Sequence, residues 1–396
     1  MTTTTPGTTS PALLTDEMLA RFDERAPMYD RENRFFDEDF AELKASGYLT
    51  SVVPKSFGGG GLGIDEFAKL QRRLAYVAPA TAVAVNMHIY WTGVAADLNR
   101  MGDHGCDWML ERSAAGDIFA AGHGEAGNDL PLFLSSSSAT KVDGGWEVNG
   151  HKIFGTLSPV WTWLGLHAMD TSDPDNPKIV HGFMHRDAPG YQIVETWDTL
   201  GMRATQSHDT VLDRAYIADD RTPVVCATGM AGAGPFHLSI FAWALVGFGA
   251  IYGGIAQRAL DDTVGRMHER TSIALTRSMA YHPGVQHRVA EMRMAMDTID
   301  WSVDRVAADW GAGVEHADWP IRIVSMKYTA TNNAFKIVDT ALDLTGGSGI
   351  FKRSRLEQMF RDCRLGRIHP ANDLLSHELI GKLQLGINPD EAPRWG

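Results

Sequence analysis

The hydrophobic pattern of this chain changes period twice, and the order of the changes restricts the folds open to it. From about Thr15 to Gly116 apolar residues recur at three and four, in "FDEDFAELKASGYL" and "GIDEFAKLQRRLAYVAPATAVAVNMHIYWTGVAADLNRMG". From Asp117 to about Asp220 the period falls to two. There "GGWEVNGHKIFG" alternates around an Asn-Gly turn signal, and "HGFMHRDAPGYQIVETW" reads strand, turn, strand. From Pro235 the helical spacing returns, predicting helices at 237–268, 284–310, 320–344, 354–365 and 372–386, the third closed by "TGGSG". The expected fold is α+β: an N-terminal α-helical domain, a middle antiparallel β-barrel or sandwich, and a C-terminal four-helix bundle. The expected divisions are an arm over 1–14, a helical domain over 15–116, a β domain over 117–225, a connecting loop over 226–236 and the bundle over 237–396.

A chain of 396 residues exceeds one ordinary core and implies two or three packed units. Its net charge of −13, with both signs mixed along the chain, argues against nucleic acid and anionic membrane surfaces as partners. The start, "MTTTTPGTTSPALL", lacks the basic and apolar regions of a signal peptide and reads as a disordered arm. No stretch is read as the ~20 apolar residues of a membrane span. Cys106, Cys226 and Cys363 lie far apart without a CxxC pair, which fits a cytoplasmic location and offers no metal site.

Short motifs mislead here. "GGGGLG", Gly58 to Gly63, satisfies GxGxxG by letter, but no βαβ pattern surrounds it. His123-Gly124-Glu125 matches half of a zinc-deaminase signature whose Pro-Cys-x-x-Cys half is missing. The fifteen histidines show no metal-ligand spacing. Near the end, "RIHPANDLLSHELIGK" places Asn372 as the N-cap of a helix with Leu374, Leu375, Leu379, Ile380 and Leu383 on its apolar stripe. His369-Pro370 is left in the turn before it. Residue types alone leave that histidine open between loop filler and chemical group.

Six strings in one order resemble the acyl-CoA dehydrogenase superfamily of flavoproteins over about residues 30 to 386. "GIAQRALDDTVGRMHER" is similar to its signature helix, ending in the arginine that meets a flavin pyrophosphate, here Arg270. "HPGVQHRVAEM", with Gln286, resembles the next helix start, "GWEVNGHKIFGT" a β-domain hairpin, and "TLGMRATQSHD" the Gly-Met-Arg strand. "TGGSGI" resembles the Gly-Gly-x-Gly turn and "MFRDCRLGRI" the segment before the last active-site loop. The resemblance implies that Gly122, His123 and Asn128 lie along the flavin, that Phe154 covers its ring system and that Thr156 reaches its N5 region. Arg270, Gln286, Gly346 and Gly347 would serve the rest of the cofactor. His88, Tyr90, Trp161 and Trp243 would line the substrate pocket, His88 with a catalytic part.

The same resemblance exposes a departure. Where the family reads Tyr-Glu-Gly-Thr, with Glu as the base that removes a thioester α-proton, this chain has His369, Pro370, Ala371 and Asn372. The other seat of that base, on the helix opening the bundle, is Ala244. The substrate-side arginines fall on Leu245 and His377. Losing the base costs roughly 10²–10⁴ in rate or more, so acyl-CoA desaturation is not expected. The branch that lacks this Glu resembles the group D, two-component monooxygenases, which take reduced flavin from a separate reductase and use O₂ through a C4a-hydroperoxide. His369 would then be catalytic, managing peroxide protons near neutral pH, with Thr156 beside the flavin.

The resulting expectation is a monooxygenase hydroxylating an aromatic or N-containing small molecule, fitting secondary metabolism. It would use FAD, or FMN since Asp343 and Ile273-Ala274 depart from the family pattern, and would assemble as a homotetramer. The competing readings are an acyl-CoA dehydrogenase or oxidase with its base moved to Asp373 or Glu378, and a non-catalytic flavin-binding relative.

Overall fold

The computed structural model describes residues 13–391, so most of the expected N-terminal arm lies outside the described residues. Five helices come first: α1 (Asp16–Glu32), α2 (Asp37–Ala45), α3 (Ile64–Val77), α4 (Pro79–Arg100) and α5 (Asp107–Ala114). The strands follow as β1 (Phe119–Gly122), β2 (Ser138–Val142), β3 (Gly145–Gly155), β4 (Trp163–Asp170), β5 (Lys178–His185), β6 (Tyr191–Val194), β7 (His208–Ala218) and β8 (Val224–Ala227). The C-terminal helices are α6 (Pro235–Glu269), α7 (Pro283–Gly311), α8 (Trp319–Thr345), α9 (Arg355–Arg364) and α10 (Asp373–Leu385). These lie within a residue or two of the stretches that the apolar spacing predicts. Local chemistry explains the ends: Pro79, Pro235 and Pro283 open helices where no N–H is needed, and Asn372 caps α10 by accepting from Leu375 N at 3.0 Å.

Helix α6 corrects the membrane reading of the sequence. By length and composition alone it could cross a bilayer, yet 83% of its most apolar stretch is buried, against α3, α4, α7 and α8. A helix that is apolar all round needs partners on every side. Glycines let those partners come close. A Cβ at Gly247 would sit 2.0 Å from Asn86 Oδ1 of α4, and one at Gly254 would sit 2.5 Å from the Arg72 carbonyl of α3. Across the same seam a Cβ at Gly93 would meet the Trp243 ring at 2.2 Å. The C-terminal bundle is therefore completed by helices from the N-terminal segment.

The sheet is mixed where the sequence suggested a wholly antiparallel one. Its order is β6-β7-β3-β2-β4-β5-β8, with β1 running parallel beside β4. Strand β4 shares one edge between two partners. β1 covers it from Phe119↔Trp163 to Gly122↔Leu166, and β2 touches it only at Ser138↔Met169. Alternating hydrophobicity sets which face of a strand is buried but carries no direction, so parallel pairing was invisible in it.

Asp97 ties three helices at the core. Its buried carboxylate accepts from Trp243 Nε1 of α6 at 2.8 Å and Trp310 Nε1 of α7 at 2.7 Å, while Arg100 holds the other oxygen at 2.9 Å. Stranding a buried donor costs about 1–3 kcal/mol, so Asp97→Ala is expected to lose about 2–5 kcal/mol in urea unfolding, part of it recovered by adding Trp243→Phe. A loss below 1 kcal/mol would mean that water reaches both indoles.

Candidate flavin and active-site loop

The break in the sheet edge makes the first part of the site. The chain leaves β4 at Gly122 and returns at Ser138, and the loop between is held by one buried carboxylate. Glu125 accepts from Ser135 Oγ at 2.7 Å, Ser137 Oγ at 2.6 Å, Ser136 N at 3.0 Å and Asn128 Nδ2 at 2.8 Å. It also pairs with fully buried Lys152 at 2.5 Å, whose ammonium donates to the His167 carbonyl at 2.6 Å. Burial would raise the Glu125 carboxyl, but the Lys152 charge and these donors overcome it and hold the group at about 2. Asn128 is spent on this loop: its amide donates to Glu125 and Leu134 O, and its oxygen accepts from Leu130 N.

The loop lies against the end of β3. Gly124 bridges Ile153, and a Cβ there would come within 2.6 Å of the Ile153 carbonyl, so glycine is required. Around this junction four non-glycine residues adopt positive φ: Phe154 (59), Leu157 (69), Met202 (53) and Gln206 (44). Such conformations cost of order 1–3 kcal/mol each and gather at functional sites. Phe154 is 55% exposed, with Trp197 edge-on at 6.1 Å, so an apolar ring stands open at the surface. Thr156 Oγ1 and Ser207 Oγ share a 2.7 Å hydrogen bond, continued to Thr205 Oγ1 at 2.7 Å. His123 touches His167 through Nδ1 at 3.1 Å, while its Nε2 is buried without a partner. Burial, then the Lys152 charge, pushes the His123 imidazole down to about 3. The open aromatic ring of Phe154 fits a flat, apolar surface of a ligand, while the unsatisfied His123 nitrogen lies buried against Trp91 and His167.

Arg270 and the glycine turn after α8 form a second cluster. Arg270 Nη1 donates to Leu344 O at 2.7 Å and Thr345 O at 3.1 Å, and the guanidinium lies 3.5 Å from where a Gly346 Cβ would stand. Gly346 has φ 68, and a Cβ at Gly347 would meet nothing within 4 Å. A glycine floor beside a guanidinium fits a phosphate. Gln286 is exposed at the start of α7, where its amide donates to Ala280 O at 3.0 Å.

The third part is the loop before α10. The His369 ring packs on Phe248 at 4.6 Å, and its Nδ1 lies 3.2 Å from the Tyr252 hydroxyl. Burial, with the Lys327 charge, pushes the imidazole down to about 3. This corrects the expectation of a group titrating near neutral pH: His369 is a neutral ring. The loop borders a surface cavity of about 260 Å³ lined by Arg364, Arg367, Ile368, Asn372, Asp373 and Leu374.

Two family models match this chain: "Acyl-CoA dehydrogenase, N-terminal domain" over residues 14–104 and "Acyl-CoA dehydrogenase, C-terminal domain" over residues 246–374, together more than half of it. The chain belongs to the acyl-CoA dehydrogenase family. Among relatives, the Bacillus subtilis protein named "Putative acyl-CoA dehydrogenase YdbM" is 29% identical over 91% of this chain and 93% of its own length. The L-evernosamine nitrososynthase of a Micromonospora species is 26% identical over 94% of this chain and 89% of its own. A solved structure of KijD3 with FMN and a dTDP-linked amino-keto sugar superposes with a TM-score of 0.82 at 23% identity, covering 98% of this chain and 96% of that one.

Against the family pattern, the expected pocket aromatics turn out to be core. His88 is buried with both nitrogens on backbone, Nε2 at 3.0 Å from Leu49 O and Nδ1 accepting from Phe119 N at 3.1 Å, and burial pushes it down to about 4. No nitrogen is left for a substrate. Tyr90 packs on Trp91 at 4.9 Å, Trp161 lies beneath Arg186 at 4.6 Å, and Trp243 is committed to Asp97. All three are almost wholly inaccessible, because apolar periodicity cannot separate a pocket wall from a core face.

The fold also gathers residues that sequence distance concealed. Ligand atoms of His181, Cys226 and His237 lie within 4.8 Å of one another. His237 Nδ1 accepts from Gly234 N at 3.3 Å, so its Nε2 carries the proton and donates to His181 Nε2 at 3.0 Å. That bond puts the His181 proton on Nδ1, which is buried without a hydrogen-bond partner among the described residues.

Glu125→Gln is expected to cost about 3–5 kcal/mol in urea unfolding by leaving Lys152 unpaired, with most of the loss restored by Lys152→Met. Because the folded carboxyl sits at about 2, below the ordinary 4.5, its contribution is present above that ordinary value and is lost as pH falls toward 2. Glu125→Gln should flatten that acid limb; an unchanged limb would assign it to other carboxylates.

Proposed function

We propose that this protein is a reduced-flavin-dependent monooxygenase acting on an aromatic or N-containing small molecule. The observation that carries the reading is the loop at His369. Where the family base would stand there is a neutral imidazole and a proline, and the second seat is Ala244. The carboxylates that could replace it are engaged. Asp373 is paired with Arg367 at 2.5 Å, and Glu378 with Lys382 at 2.9 Å, so each is held as a partnered anion away from proton abstraction. The nitrososynthase among the relatives is named for an oxidation of an amino sugar. The name of the Bacillus subtilis relative supports the other reading, an acyl-CoA dehydrogenase with a relocated base.

Arg270 with Gly346 and Gly347 would hold a flavin phosphate, and Phe154, His123 and Thr156 would border the ring system, for FAD or FMN alike. When bound, reduced flavin supplies the electrons that activate O₂, delivered by a separate reductase. This chain's residues then place protons. Burial holds the Tyr252 hydroxyl in its protonated form, so it donates to His369 Nδ1 and leaves the proton on Nε2. That N–H is a donor for negative charge developing on oxygen. With a flavin bound, the Phe154 and Trp197 rings would cover its apolar face.

The purified protein is expected to consume O₂ only when given reduced flavin, and not to bleach bound flavin with acyl-CoA thioesters. His369→Ala should release H₂O₂ at least tenfold faster per reduced flavin, the scale of a lost charge-stabilising donor. Since His369 is neutral far below its ordinary 6.5, H₂O₂ release should show no His369-dependent inflection between about pH 5 and 8. Thioester-driven bleaching, or equal H₂O₂ release in His369→Ala, would sink the reading.

We also propose a homotetramer. Trp301 and Met294 on α7 are 71% and 61% exposed, apolar surface that a neighbouring copy would cover. Light scattering should give four chains per particle, and Trp301→Lys should dissociate it; a monodisperse wild-type monomer would refute this.

A further inference from the structure

Lys327 of α8 is buried and makes no ion pair within 4 Å among the described residues. Its ammonium instead donates to two backbone carbonyls of one loop, His369 O and Ala371 O, both at 2.7 Å. A lysine hidden this completely is ordinarily matched by a carboxylate. Here the nearest acidic influence is Asp373, itself bonded to Arg367 and to Asn332 at 3.3 Å. We propose that Lys327 is the positioning residue of the active-site loop, gripping the carbonyls on either side of Pro370 so that the His369 ring is presented to the site. The site designation rests on the monooxygenase reading above; the grip on the loop does not.

The geometry assigns each donor. Ala371 O takes a second hydrogen bond from Ser376 Oγ at 3.2 Å, which satisfies both of its lone pairs. With both carbonyls turned onto α8, the His369 ring is left between Phe248 and Tyr252 of α6, and its Nε2 has no partner among the described residues. The groups facing Lys327 are the His369 ring and carbonyl, the Ala371 carbonyl, and Asp373 at the start of α10, with Tyr252 and Arg367 one bond further out. The nearby cation also disfavours protonation of His369. Burial pushes the Lys327 amine itself down to about 7. A folded value below the ordinary 10.5 means that the protonated lysine opposes folding at neutral pH, and that stability rises as pH climbs from about 7 to 10.5. The fold would be better served here by an apolar side chain, the pattern of a group kept at a functional site.

Two variants separate the parts of the role. Lys327→Met removes donors and charge, while Lys327→Gln keeps an N–H donor without charge. Three readouts are taken: amide hydrogen exchange of residues 369–372 and the histidine-ring NMR titration, both on ligand-free protein, and H₂O₂ release from reduced FMN and O₂. In Lys327→Met the loop amides should exchange about tenfold faster or more, the effect of losing charge-assisted hydrogen bonds. The His369 titration should move up toward its ordinary value, H₂O₂ release should quicken, and the melting temperature should hold or rise. Lys327→Gln should restore slow exchange in part and still show the raised titration. Unchanged exchange and titration in Lys327→Met overturn the proposal. So does a large fall in melting temperature shared by both variants, which would mark a structural lysine. If wild type does not slow H₂O₂ release relative to free reduced FMN and O₂, the monooxygenase reading fails while the exchange and NMR results still decide the role of Lys327.

Discussion

The constraint on which the rest of the structure depends is that α6, from Phe236 to Ala256, is apolar around its circumference. Water cannot be allowed on any side of it, so α3 and α4 must come from the N-terminal segment to join α7 and α8 around it. This fuses the two helical segments into one body although a sheet of some hundred residues separates them in the chain. The glycines at 93, 247 and 254 set how near those helices come. Asp97 then fixes their rotation, because two indole N–H groups from two helices must meet one carboxylate.

Charged side chains work at the seams of this body. Asp23 of α1 lies between Arg258 of α6 at 3.2 Å and Arg355 of α9 at 3.1 Å, and Asp30 of α1 binds Arg361 of α9 at 2.6 Å. Asp362 reaches out to the β segment and accepts from Met202 N at 2.5 Å. That contact sits between the strained turn at 202–206 and the helix that leads to His369. Partly buried ion pairs contribute little net stability but specify geometry, here the placement of the sheet against the bundle.

The chemistry of the candidate site is neutral at the places where protons would move. His123 and His369 are both held uncharged by burial and by a lysine beside each, Lys152 and Lys327. The lysines carry the charge one step back, and the imidazoles would act in the proposed reaction as neutral hydrogen-bonding groups. A carboxylate at the His369 loop would do the opposite, inviting proton abstraction from carbon and repelling an oxyanion.

Much of this was legible in the residues. Helix positions followed from apolar spacing because most helices bury a continuous stripe, α4 and α6 being buried nearly all round, and Asn372 declared itself as a cap because its neighbours are helical and it is not. The absence of a base at Pro370 and Ala244 is a matter of residue identity, which sequence alone determines. Tertiary structure decided the rest. It made His88, Tyr90, Trp161 and Trp243 core instead of pocket wall, since burial depends on what the far side of a helix meets. It spent Asn128 on Glu125, turned β1 parallel to β4, and moved His369 out of the neutral titration range. It also joined Lys327 to His369 across 42 residues of chain. Side-chain desolvation and long-range pairing are properties of a packed neighbourhood, and no local pattern in the chain encodes them.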